Sequence, residues 1–289
     1  MKFTQSILVL RLVLFLWASI SPLIASAECI GDQSAKKIYT VYIVPQLTAS
    51  EIFVNWSPLL KKLGEQSQKC FALIVPASIP QFEKELLSGK PDFAFANPYH
   101  AVMAFQSHQY IPLVADGKTQ LNGLILVKAN SKIKNLKELN NSEIAFPAPN
   151  SFGASLLTRM LLTQENVSFS ANYVVSHKNV YRAVIAGDAI AGGGVNATFM
   201  REPEEIQSQL RVLRSTSSYR PHPFIANPNV PLEDRKLIQA CFINLKSDKV
   251  NEKLLNDIEI PDPIAVNYAN DYALIEKINL KKYVNPTRY

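Results

Sequence analysis

The chain has 289 residues, 47% of them hydrophobic, with 30 basic against 24 acidic side chains and a formal net charge of +6. That is enough apolar material for one large or two smaller cores. The cations are scattered and form no stripe interleaved with aromatics, which argues against a nucleic-acid partner.

Residues 1–27 read as a secretory signal peptide. Lys2 and Arg11 bracket a basic start, Leu12 to Ala18 form an apolar run, and Ala25-Ser26-Ala27 offers small residues for cleavage after Ala27. Ser19, Ser21 and Pro22 cut that run short of the roughly 20 residues of a membrane anchor, and Glu28 ahead of Cys29 does not suit a lipoprotein. The expectation is a soluble exported protein, its charge lowered from +6 to +4 by loss of Lys2 and Arg11. Cys29, Cys70 and Cys241 are too few for a disulfide framework but enough for one bridge, and which pair forms, if any, stays open.

The pattern of the remaining chain alternates strands with helices, as in an α/β sheet with crossover connections. Ile38–Val44 is β-rich, and Thr48 with Glu51 has capping-box spacing ahead of a helix through Phe53, Trp56, Leu59, Leu60 and Leu63. Phe71–Val75 reads as a strand, Ile79–Leu87 as a helix stopped by Gly89, and Asp92–Ala96 as a third strand ending at Asn97-Pro98-Tyr99. A helix over Tyr99–Gln106 and a strand over Tyr110–Ala115 complete a first lobe.

Gly117, Asn122 and Gly123 mark a break, after which the architecture restarts. Leu124–Val127 and Glu143–Phe146 read as strands flanking a short helix at Leu136–Leu139, and Ser151–Leu162 as a helix. Tyr173–Val175 reads as a strand, Val180–Ala186 as a helix closed by Gly187, and Ala189–Ala191 as a strand running into Gly192-Gly193-Gly194, where the glycines signify close packing at a strand end. Arg211–Thr216 and the proline-punctuated Pro221–Ile225, with His222 as part of a hinge, read as a return crossing; helices near Leu232–Phe242 and Asn251–Leu255 follow. The expected fold is a two-lobed α/β structure with two crossover strands and an interlobe cleft. Lobe 1 comprises 36–117 and 222–289, and lobe 2 comprises 122–215.

Within the second lobe, Phe146-Pro147-Ala148-Pro149-Asn150-Ser151-Phe152-Gly153 reads as a strand, a polar turn and a helix start. Such a start leaves backbone N–H groups unpaired and carries partial positive charge, a cradle for a small anion that needs no catalytic side chain. Asn150 and Ser151 are equally good N-caps. His177 is placed at a strand end, where imidazole can donate to an anion and titrate with it; Lys178 beside it is expected to be solvated. Asn97 and Tyr99 follow a strand end, where open α/β sheets bind ligands, and Gln46 and Thr48 hold the same place after the first strand, although capping accounts for Thr48.

The ordered set "VPQ", "DFAFANPYHAV", "FPAPNSFGASLL", "SHKNVYRAV" and "GDAIAGGGV" resembles the phosphate, phosphite and phosphonate substrate-binding proteins of bacterial ABC transporters over most of the chain. The resemblance implies a type II-like periplasmic-binding-protein fold, capture of a small oxyanion in the periplasm by cleft closure, and delivery to a membrane permease. It also implies a Ser-Thr-Ser-Gly run gripping the phosphoryl group, a run occupied here by Asn150, Ser151 and Phe152 before Gly153, and a histidine matched by His177. Phe152 lacks a side-chain donor, and Leu121-Asn122-Gly123 stands where a tyrosine is expected, so aminophosphonate specificity does not follow. The "FPAP", "SH" and "GGGV" variant is similar also to sensor domains of some histidine kinases, which leaves a periplasmic sensor subunit as the alternative.

Catalytic patterns are missing. There is no Gly-x-Ser-x-Gly elbow, no His-Glu-x-x-His and no clustered Cys/His metal spacing, and the four histidines are dispersed, His100 and His108 having no obvious carboxylate partner. The expected protein is a monomeric binding protein, not an enzyme, without cofactor or metal. Its ligand residues are Gln46, Thr48, Asn97, Tyr99, Asn150, Ser151, Phe152, Gly153 and His177.

Overall fold

The computed structural model describes residues 28–284; the expected signal peptide and its cleavage site lie outside the described residues. In chain order the strands are β1 (Ile30–Gly31), β2 (Ile38–Ile43), β3 (Cys70–Ile74), β4 (Phe93–Phe95), β5 (Ile111–Asp116), β6 (Gly123–Lys128), β7 (Ser142–Phe146), β8 (Phe169–Tyr173), β9 (Ala191–Val195), β10 (Leu210–Ser215), β11 (Phe224–Ala226) and β12 (Pro263–Ala265). They form two sheets, ordered β1-β3-β2-β4-β11-β5-β12 and β10-β6-β9-β7-β8. The chain crosses from the first sheet to the second between β5 and β6 and returns between β10 and β11. The two crossing segments pair with each other at Leu121 and Tyr219.

Local chemistry accounts for the helices that frame the cleft. Helix α1 (Ala49–Ser67) starts with the capping box read from the sequence: Thr48 accepts from the Glu51 amide, and Glu51 reaches back to the Thr48 amide. Its inner face buries Ile52, Trp56, Leu59, Leu60 and Leu63, each contributing roughly 1.5–3 kcal/mol. Helix α2 (Ile79–Leu87) is capped by Ser78, and α3 (Pro98–His108) by Asn97, with Pro98 at the position where a missing N–H costs nothing. With β2, β3 and β4 parallel, α1 and α2 are the crossovers of a β-α-β-α-β unit, and α3 leads from β4 to β5.

The second sheet departs from the sequence reading in three places. The helix expected at Ser151 opens as a π-helical turn, Phe152–Leu157, and continues as α4 (Thr158–Gln164). The strand expected at Tyr173–Val175 lies at Phe169–Tyr173, paired in parallel with β7. Val174 instead donates to the Phe146 carbonyl, Val175 takes a positive φ of 74°, and Ser176 caps α5 (His177–Ala186), which starts three residues earlier than expected. His177 is therefore the first residue of a helix and not a strand end.

The glycine run is the third difference. Gly192, Gly193 and Gly194 sit inside β9, between β6 and β7, not at a strand end. A Cβ at Gly193 would lie 2.0 Å from the Ala154 carbonyl, and one at Gly123 would lie 2.3 Å from the Gly153 carbonyl. Bare backbone at both places lets the π-helical turn lie flush on the sheet. A large core under the first sheet continues into Phe152, Ala154, Leu156 and Leu157 of that turn, and two smaller cores cover the faces of the second sheet. A disulfide joins Cys29 to Cys70, tying the N-terminal strand to β3, and Cys241 is free. Among the described residues no helix is long and apolar enough to cross a membrane.

Candidate functional site

A tight pocket, about 280 Å³ with its opening to solvent counted, lies between the sheets, lined by Val44, Gln46, Ile79, Asn97, Ser151, Phe152, Gly153, His177, Val195 and His222. Nearly every member follows the C-terminal end of a strand: Val44 and Gln46 after β2, Asn97 after β4, Ser151 to Gly153 after β7, and His177 after β8. Helix starts converge there from both sheets, with Ile79 opening α2, Asn97 capping α3, Ser151 preceding the π-helical turn and His177 opening α5. The lining carries no Asp, Glu, Lys or Arg. Positive potential in it therefore comes from backbone N–H groups and helix dipoles.

Of the nine residues named from the sequence, the fold brings six to this cavity: Gln46, Asn97, Ser151, Phe152, Gly153 and His177. Thr48 lies on an outer cavity and caps α1. Tyr99 is buried within α3 and is not part of the lining. Asn150 is buried, and its Nδ2 donates to Glu83 Oε2 of α2 at 3.1 Å, a hydrogen bond from one lobe to the other.

The donors are set by their surroundings. Ser151 is buried, and its hydroxyl makes no capping bond to its own turn. The amides of Phe152, Gly153 and Ala154 precede the first bonds that close that turn, from Ser155 and Leu156 to the Ser151 carbonyl. Asn97 accepts through Oδ1 from the His100 amide at 2.8 Å, which leaves its Nδ2 hydrogens as donors. That Nδ2 is 3.3 Å from His100 Nε2, but His100 Nε2 also meets Glu83 Oε1 at 3.0 Å. A ring N–H directed at the carboxylate cannot accept as well, so the Asn97 amide is free to face the cavity.

His177 Nδ1 lies 3.4 Å from Thr198 Oγ1, which is itself 2.8 Å from the Tyr181 hydroxyl. Thr198 Oγ1 also lies 3.1 Å from the Val195 carbonyl, so the direction of the His177 contact follows the ring tautomer; in the tautomer whose Nδ1 accepts, Nε2–H is the donor left for a ligand. Burial lowers the His177 pKa to about 4 and that of His222 to about 3, the latter helped by His100 and His177 nearby, so both rings are neutral at pH 7.

Three features escaped the sequence reading. His222, read only as hinge, stacks on Phe95 with centroids 5.3 Å apart and lines the cavity. His100 does have a carboxylate partner, Glu83, seventeen residues away on the preceding helix, and the pair is buried. Lys178 is not simply solvated: it bonds Glu51 of α1 at 2.7 Å across the cleft mouth. Ile79 and Val195 complete the wall, and the helix start after Ser78 was the signal that could have flagged the first of them.

The fold is that of the two-lobed periplasmic binding proteins. The profile described as "ABC transporter, phosphonate, periplasmic substrate-binding protein" matches residues 41–272, and the chain belongs to this family of solute-binding proteins. No curated protein matches it in sequence. Among solved structures it is similar to a binding protein component of an ABC phosphonate transporter from Pseudomonas aeruginosa, with TM-score 0.75 and 16% identity over 85% of this chain and 86% of that one. It is similar also to PhnD1 from Prochlorococcus marinus in complex with methylphosphonate, with TM-score 0.77 and 18% identity over 85% and 98% of the two chains. A Xanthomonas citri protein bound to chloride gives TM-score 0.72 and 14% identity over 85% and 98%. At these identities the likeness is one of fold.

Proposed function

We propose that this chain captures a small phosphorus oxyanion of the phosphate, phosphite or phosphonate type in the interlobe cavity and delivers it to the permease of an ABC transporter, without chemical turnover. The observation that carries the reading is the convergence of helix starts from both lobes on a cavity whose lining has no carboxylate. Asn97 from lobe 1 and Ser151, the backbone amides of Phe152 and Gly153, and His177 Nε2–H from lobe 2 supply the donors, with Gln46 and His222 at the rim. Asn150 acts through its bond to Glu83, which favours the closed arrangement. Lobe 1 is 36–117 with 222–289 and lobe 2 is 122–215; the protein works as a monomer exported after cleavage at Ala27.

Closure is a population shift, so ligand stabilises the closed state by its difference in affinity for the two arrangements. Lys178 with Glu51, and Arg201 with Glu259 at 2.8 Å, span the cleft and add to that state. The test is a thermal-shift panel with phosphate, phosphite, methylphosphonate, 2-aminoethylphosphonate, sulfate and thiosulfate. A true ligand at about 100 times its Kd adds about 2.7 kcal/mol. A shift with a phosphorus oxyanion supports the reading; shifts with sulfur oxyanions alone would overturn it.

A further inference from the structure

A second, larger cavity adjoins the first. It encloses about 990 Å³ including its open mouth, and His222 lines both spaces. Its walls come from both lobes and both crossing segments, with Phe95, Leu121, Ala197, Met200, Pro221 and Pro261 forming a mainly apolar surface. Its charged members are Arg201 and Glu259, and they neutralise each other. Arg201 Nη1 donates to Glu259 Oε1 at 2.8 Å and Nη2 to the Asp257 carbonyl at 2.9 Å, while Glu259 Oε2 accepts from Gln46 Nε2 at 2.8 Å.

We propose that this chamber is a second subsite, taking the uncharged, apolar substituent of an organophosphonate whose phosphoryl group occupies the smaller cavity. The proposal rests on the oxyanion reading above. A phosphate or methylphosphonate held by the donors around the small pocket would leave the chamber to water. An alkyl or aryl group passing over the His222 ring would displace that water from apolar walls, which is favourable in proportion to the area covered. An ammonium group gains little, because both oxygens of the only carboxylate on the lining already have donors.

Titration calorimetry of the purified protein with inorganic phosphate, methylphosphonate, butylphosphonate and 2-aminoethylphosphonate tests the assignment. Each fully buried methylene is worth about fourfold in affinity. Against a partly open chamber, butylphosphonate should bind roughly tenfold or more tightly than methylphosphonate, and 2-aminoethylphosphonate no more tightly than methylphosphonate. Ala197 is exposed on the chamber wall, and Ala197→Phe, by filling the space, should abolish the butyl advantage while methylphosphonate binding is kept. Equal affinity for the butyl and methyl compounds, or tightest binding of the aminoethyl compound, overturns the subsite with the oxyanion reading intact. Failure of all four anions to bind overturns that reading and the subsite with it.

Discussion

At Ser151 and His177 the side chains have been left with polar groups that the fold itself does not consume. Ser151 is buried without a capping bond, and His177 engages only Nδ1. Ser151→Ala combined with His177→Ala is expected to weaken binding of the phosphorus oxyanion by about 2–5 kcal/mol, since both would donate to a desolvated anion; calorimetry showing unchanged affinity would move the site elsewhere. The same histidine sets a pH dependence. An unfolded imidazole titrates at about 6.5, whereas burial holds His177 near 4 and His222 near 3. Between those values the unfolded chain binds protons that the folded chain does not, so stability rises with pH and is lost as pH falls through this window. His177 alone accounts for a loss on the order of 3 kcal/mol by pH 4. Urea midpoints of the ligand-free protein should fall from pH 7 to pH 4, and His177→Gln should flatten that fall; an equally steep curve in the variant would exclude this cause. None of this was readable at His222, whose flanking prolines suggest a bend while its contact with Phe95 depends on a strand 127 residues earlier.

At the scale of elements, the candidate site depends on how closely one turn lies on a sheet. Gly193 of β9 and Gly123 of β6 leave room for the carbonyls of Ala154 and Gly153. Gly193→Ala would press a methyl group against fixed backbone, and it should cost at least about 2 kcal/mol in a urea melt and also weaken ligand binding, because the turn must lift; a wild-type midpoint and affinity would show that the turn yields freely. Elements governed by neighbours in sequence were legible. Thr48 with Glu51, the Ile79–Leu87 helix and the break at Gly117 all followed from caps, periodicity and glycine. The strand β8 was not, because its side chains are half-buried or exposed and give no pattern, while the β-branched Val174-Val175 pair next to it looks more strand-like than it is.

For the whole molecule, the connections that matter join residues far apart. The Cys29–Cys70 bridge closes a separation of 41 residues. Replacing both cysteines by alanine should lower stability by about 2–4 kcal/mol, seen as a reduced melting temperature; an unchanged one would mean that β1 contributes little to the first sheet. Interlobe bonds from Asn150 to Glu83, Lys178 to Glu51 and Arg201 to Glu259 likewise join the two halves. The sequence by itself determined the alternation of elements, the restart after Gly117 and the helix start at Ser151, since these depend on periodicity and capping within a few residues. Only the tertiary structure decided the disulfide partner, the pairing of His100 with Glu83, the turn of Asn150 away from the cavity and the entry of His222 into it. Each of these is a contact between segments that meet only when two sheets have formed and closed on each other, and no local rule orders such contacts in advance.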